Sequence, residues 1–395
     1  MAGAPVRVVG ALGTAQTLAW ASSYYLPAML ADPMARELDV SAPMIYAAFS
    51  VAMIASALIG PGAGRAIDRH GGRVVLVGTS LMFAMGLGML GVAQGFWSMI
   101  AAWLVLGAAM GSGLYEAAFS SLVRLYGRHA RGAITGITLI AGFASTVGWP
   151  LSAWMEARFG WRGACFGWAA LHLLIGLPLN AWLPKALKAV KTEAPAVAPA
   201  GQDNASAAAA APPRGFATAL LAFVFAATWF ISTAMATHLP RTLEAAGAPL
   251  GTAVAVGALI GPAQVAGRLL EFGFLRRVHP LLSARLAALA HPAGVAVLLS
   301  AGPAMAPAFA VLHGAGNGIL TIAKGTLPLA LFGPHGYGAR QGWLMMPARI
   351  AQALAPFLFG LALDAWGARA LWLSGAIGLT ACAALMLLRA QPSAD

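Results

Sequence analysis

PKALKAVKTEAPAVAPAGQDNASAAAAAPPR, residues 184–214, is the one long hydrophilic stretch in a chain of 395 residues. Alanine and proline with scattered lysines make it a flexible linker in composition, not a packed element. The flanking sequence is of another kind. Sixty per cent of all residues are hydrophobic and 9% are charged, against roughly 25% charged in soluble domains. At a mean hydropathy of +0.77 the chain has too little charge to clothe a water-facing surface. Lipid is its solvent.

Runs of roughly 20 apolar residues are long enough to cross the hydrocarbon core. Twelve are present, near 8–30, 43–67, 73–93, 96–122, 133–157, 163–183, 216–239, 250–271, 284–302, 304–328, 342–364 and 369–389. Six precede the linker and six follow it. This predicts an all-α integral membrane protein, with one six-helix bundle over 1–183, a cytoplasmic linker over 184–214 and a second bundle over 215–395. The formal net charge of +12 would suit a nucleic-acid binder, but its distribution argues otherwise. Arg65, Arg69 and Arg73 flank the second connection, and Arg124, Arg128 and Arg131 the fourth. Lys185, Lys188, Lys191 and Arg214 occupy the sixth, Arg268, Arg276, Arg277 and Arg285 the eighth, and Arg340 the tenth. Odd connections carry only Arg36, Arg158, Arg162, Arg241 and Arg369. By the positive-inside rule the even connections and both termini are cytoplasmic, in a bacterial-type inner membrane. The basic excess orients the chain and implies no nucleic-acid partner.

The first apolar segment is too long for the core of a cleavable signal and contains Gln16, Trp20, Tyr24 and Tyr25. Cys165 and Cys382 lie in separate spans without CxxC or His-Cys spacing, so neither a disulfide framework nor a metal is indicated. They read as packing residues. The halves resemble each other at an offset of about 206 residues. Leu125-Tyr126-Gly127-Arg128-His129 matches Leu331-Phe332-Gly333-Pro334-His335, and Pro150 matches Pro356. Phe159-Gly160-Trp161-Arg162 matches Trp366-Gly367-Ala368-Arg369, and Gly64-Arg65-Ala66-Ile67-Asp68 matches Gly267-Arg268-Leu269-Leu270-Glu271. Parallel repeats of this kind place a transport site where the halves meet.

Gly64-Arg65-Ala66-Ile67-Asp68-Arg69-His70-Gly71-Gly72-Arg73, between spans two and three, resembles the loop signature Gly-x-x-x-Asp-Arg-x-Gly-Arg-Arg/Lys of the major facilitator superfamily. It departs at Gly72, where a basic residue is common, and keeps Arg73. The resemblance extends over the whole chain and implies twelve helices in two pseudo-symmetric six-helix bundles with alternating access. Arg162 and the glycines of span four, Gly107, Gly111 and Gly113, look like the monocarboxylate and oxalate/formate type of porter. Drug/proton antiporters of the superfamily usually carry an arginine within span four, and none lies between 97 and 122. Their Gly-Pro signature in span five is only partly echoed by Gly148-Trp149-Pro150.

Within the signature, Gly64 and Gly71 suit close backbone approach, and Asp68 suits the orphan amides of a neighbouring helix N-terminus. With Arg69 and Arg73, these residues read as a cytoplasmic latch, of which Arg268 and Glu271 make a degenerate second copy. The bland alternative is a solvated basic loop that sets topology. Charges inside spans are costly and default to functional hypotheses. Glu116 fits a proton carrier or a gate partner for Arg124, two turns along the same face. Lys324 and Arg349 together would make an electropositive site for a carboxylate, unless they snorkel to headgroups, and Lys324 fits a packing or gate role better than substrate contact. Gln16, Trp20, Ser23 and Tyr24 fall on one face of span one, and Trp229 and Thr233 on one face of span seven. With Tyr115, and with Asn317 among its glycines, they are the expected cavity lining. His172, His291 and His313 read as hydrogen-bonded packing groups, His291 near a cytoplasmic boundary.

The reading is a secondary transporter, functional as a monomer, that moves a small organic anion under a proton gradient or by exchange. Toxic-compound efflux, of drugs or arsenicals, is the alternative within transport. A non-transporting receptor is the alternative outside it. No GxxxxGK[ST], HExxH or GxSxG motif supports an ATP-driven pump, an enzyme or a bound cofactor.

Overall fold

A computed structural model describes residues 6–185 and 214–389 of the chain. Nearly all of the expected linker lies outside the described residues, including Lys188 and Lys191. Among the described residues eight helical stretches are long and apolar enough to cross a membrane, but one of them runs for 87 residues, Phe96–Trp182, and another for 51, Tyr337–Leu387. At about 1.5 Å per residue the longer would extend ~130 Å, against a core of about 30 Å. Both must therefore turn back. They do so at glycines with positive φ: Gly127 (56°) and Gly160 (67°) in the first, Gly367 (56°) in the second. Gly333, the repeat counterpart of Gly127, is likewise at 74°. Only glycine enters this region without strain from a Cβ.

Counting the first helix, Val6–Ser22, and these reversals, the described chain makes twelve passes in two pseudo-symmetric bundles of six. Several spans are interrupted. Span one stops at Ser22 and a separate helix, Pro27–Glu37, follows it. Span four breaks at Leu114 between Phe96–Gly113 and Tyr115–Tyr126. Span six carries a π-helical turn at His172–Gly176.

One apolar core is built from residues between Val8 and Leu183, with Leu329, Tyr337 and Ala353 of the other half pressed into it. Two further cores draw only on the second half. Large apolar side chains such as Leu81, Met85, Leu104, Leu174, Phe357, Leu361, Trp372 and Leu379 remain exposed. In water these would be a liability; on a bundle in lipid they are the solvated surface. The glycines of span four have a packing role. A Cβ on Gly107 would stand 2.3 Å from Ala52 O, and one on Gly111 2.6 Å from Ser56 O, so they let spans four and two touch backbone to backbone.

Candidate substrate site and closure of the basic end

The halves meet at the end that carries the arginine-rich even connections. Asp68, in the last turn of span two (Ala42–His70), accepts hydrogen bonds from the amides of Gly338 (2.9 Å) and Ala339 (2.8 Å). Those amides open span eleven (Tyr337–Trp366), where the first N–H groups have no partner inside the helix. The carboxylate satisfies two of them and faces the positive end of the helix dipole. The approach depends on glycine: a Cβ on Gly64 would lie 2.0 Å from Gly338 O, and one on Gly342 2.5 Å from Pro61 Cα. Arg69 is exposed and Arg73 half-buried. Gly71, at φ 86°, ends span two.

Arg268 and Glu271 also reach the other half, though not each other. Arg268 donates to Thr138 O at 3.2 Å. Glu271 pairs with Arg131 at 3.1 Å, and Arg131 also donates to Val278 O and Leu275 O. By sequence alone Arg131 is only an orienting charge, because nothing in its neighbourhood points to a partner 140 residues away.

Deeper in, Glu116 accepts from Arg349 at 2.6 Å, with side-chain exposures of 14% and 6%. The partner of Glu116 is thus an arginine of the opposite bundle. Arg124, the partner weighed from spacing, is half-buried two turns away. The break at Leu114 starts a new helix at Tyr115, placing Glu116 in its first turn, where an anion is favoured. Lys324 is buried with no hydrogen-bond partner on Nζ, and lies 3.9 Å from the centroid of the Trp229 ring. It is also within electrostatic reach of Glu116, Arg268 and Arg349.

Trp20 and Trp229, from the first helix of each half, stack at 6.4 Å between centroids with planes 9° apart. Tyr115 lies 4.9 Å from Trp20 and stacks on Phe119. Tyr24 is neighbour to Thr233, Gln352 and Arg349. Gln352, one turn beyond Arg349, was missed by sequence reading, although a buried amide so close to an intramembrane arginine is a detectable signal. The indole N–H groups of Trp20 and Trp229 are buried without a hydrogen-bond partner among the described residues.

Three expected lining residues are placed elsewhere. Gln16 is 2% exposed and donates to Gly113 O at 2.7 Å, inside the first bundle, where the break in span four frees that carbonyl. Ser23 is fully buried and donates to Ala19 O of its own helix, the usual outlet for a hydroxyl in an apolar span. Asn317 is half-buried, donates to Ser232 Oγ and lines a separate cavity within the second bundle. His291 sits midway along Pro280–Ala301, not at a boundary. Among the described residues no group of three or more His, Cys, Asp or Glu is arranged to hold a metal.

The family model described as Major Facilitator Superfamily matches residues 12–309. No curated protein matches the chain. Among solved structures, the transporter FucP of E. coli in its outward conformation superposes with a TM-score of 0.71 at 17% identity, covering 96% of this chain and 97% of that one. The human organic anion transporter MFSD10 (TETRAN) gives 0.66 at 16% identity, over 96% and 99%. The proton:xylose symporter XylE gives 0.69 at 11% identity, over 96% and 94%. At these identities the likeness is one of fold.

Proposed function

The chain belongs to the major facilitator superfamily, and on that premise we propose that this transporter carries a small organic anion across the cytoplasmic membrane, coupled to protons or by exchange. One observation carries the reading: around the central aromatics, most of the buried polar groups without a hydrogen-bond partner among the described residues are donors, Thr233 Oγ1 serving either way and Gln341 Oε1 being the acceptor. Lys324 Nζ and the indole N–H groups of Trp20 and Trp229 lack an acceptor among the described residues. Arg268, Lys324 and Arg349 bring three positive charges to a region where Glu116 is the near carboxylate. Buried donors and surplus cations call for a ligand rich in acceptors and negative charge. A cationic drug would meet repulsion there instead.

With the basic end cytoplasmic, the arrangement is the outward-facing one, shut from inside by Asp68 on span eleven, by Arg131–Glu271 and by Glu116–Arg349. An anion arriving from outside competes with Glu116 for Arg349. Once displaced, Glu116 is free to take a proton, and the tie between the halves dissolves. Binding at one charge would thereby loosen the closed end. Residues 1–183 and 215–395 act as the two rocking bundles, joined by a flexible cytoplasmic 184–214, in a protein that works as a monomer with both termini inside.

The test is uptake into proteoliposomes of radiolabelled small carboxylates, cationic drugs and arsenite, with and without a proton gradient. Carboxylate movement lost in Arg349→Ala is the expected result. Gradient-driven movement of drugs or arsenite, insensitive to Arg349→Ala and lost in Glu116→Gln, would overturn it in favour of efflux.

A further inference from the structure

Away from the central cluster, the second bundle encloses two histidines in contact. His291 of Pro280–Ala301 and His313 of Ala306–Phe332 face each other Nδ1 to Nδ1 at 3.0 Å, and His291 Nε2 lies 3.1 Å from Ser374 Oγ. All three are buried: 7%, 4% and 0% exposed. One neutral assignment of the protons satisfies all three contacts. Ser374 donates its single hydroxyl proton to Leu371 O at 2.9 Å. In that assignment its oxygen accepts from His291 Nε2–H. A neutral His291 so protonated offers a lone pair at Nδ1, which accepts from His313 Nδ1–H. His313 Nε2 is left as a bare lone pair, on a ring that lines a cavity with Thr228, Ile231, His291 and Asn317.

We propose that His313 is a proton-binding site of this transporter, distinct from Glu116. A proton from cavity water adds to Nε2, giving an imidazolium whose Nδ1–H remains bonded to neutral His291. No bond is exchanged further along, because the chain ends at Leu371 O. The proton enters and leaves through the cavity, so the chain holds a proton instead of conducting one. The ring is clamped for this task by Phe309, stacked on it at 5.9 Å and 8°.

The cavity residues from span seven (Thr228 and Ile231) and span twelve (Gly378 and Ala381) carry no charge, and span nine contributes His291. Span eight packs against span ten with Ala263 and Ile260 on Gly314, and its charged groups, Arg268 and Glu271, are bonded to the other half at Thr138 and Arg131. On span ten itself His313, Asn317 and Lys324 recur at i, i+4 and i+11, one helical face. Thr321 extends the polar stripe by donating to Asn317 O. The nearest cation on that face, Lys324, is thus about 16 Å along the helix from His313. A proton held at His313 adds positive charge to the bundle that holds the substrate cations, and charge balance then favours an anion entering with it.

The site is testable without substrate. Proteoliposomes on a solid-supported membrane are given an outside pH drop, and the transient charge displacement is recorded against pH. In the wild type a displacement with a single midpoint is expected. His313→Gln should lose it, while His172→Gln, a buried histidine of the other half, keeps it. Retention of the full displacement in His313→Gln overturns the proposal. Ser374→Ala covers the case in which His313→Gln does not fold: it keeps both rings but removes the acceptor of His291 Nε2–H. Its midpoint should shift, and an unchanged midpoint overturns the proposal. Because no anion is present, the result stands apart from the substrate assignment.

Discussion

At the scale of the residue, Glu116–Arg349 and Lys324 are the groups whose chemistry is most exposed to test. Removing one member of a buried ion pair leaves an uncompensated charge, which costs about 3–5 kcal/mol. Arg349→Ala should therefore lower both stability and transport. Glu116→Gln is more informative, since it preserves shape and leaves Arg349 wholly available to the ligand. We expect KM for the carboxylate to fall and Vmax to fall with it, measured by counterflow in proteoliposomes; an unchanged KM would remove Glu116 as a competitor. Lys324→Met keeps the apolar stem against Trp229 and deletes the charge. Hydrogen bonds to charged groups contribute about 1.5–3 kcal/mol, so affinity for the anion should drop by roughly 10- to 100-fold in a binding isotherm.

At the scale of the element, the closed end is a helix N-terminus seated on a carboxylate through glycine contacts. Gly64→Val places side-chain atoms where Gly338 O now stands, 2.0 Å from the Cβ position, and neither backbone can yield without moving span two or span eleven. Asp68→Asn keeps the size but loses the charge that faces the helix dipole. Both should unseat span eleven, Gly64→Val the more. The measurement is maleimide labelling of a cysteine at Gln341, a residue with no exposed surface in the closed form. Faster labelling is expected in both variants, and wild-type rates would show that the contact does not hold the end shut.

At the scale of the molecule, ties at the two ends differ in kind. Those at the basic end join one half to the other, whereas the opposite end is tied within each half, by Arg162–Glu37 (2.7 Å) and Arg241–Asp364 (2.8 Å). A molecule so arranged can part at one end without strain. Glu37 also allows a pH test. The hydrogen bond from Arg162, aided by that from Trp161, holds its carboxyl below the usual 4.5 despite the opposing effect of burial. A lowered folded-state value stabilises above the unfolded value, and that stability is lost as pH falls through the folded one. Tm should thus fall more steeply below about pH 4.5 in wild type than in Glu37→Gln. Parallel curves would remove the pair as a contributor.

The same scales separate what was legible in the chain. The twelve apolar runs were legible from one fact: in lipid every backbone polar group must be satisfied inside its own helix, so local sequence suffices to find the spans. The repeat was legible too, but only the structure shows that its equivalent glycines Gly127 and Gly333 both turn the chain at positive φ. That Asp68 seeks orphan amides was readable from its type. Which helix end it meets, 270 residues away, was not. Neither was the choice of Arg349 for Glu116 over the nearer Arg124, the joining of His291 to His313, or the turning of Gln16 into its own bundle. Those outcomes depend on how far each helix is rotated and tilted against its neighbours. Packing between the two halves sets that, and no local periodicity encodes it.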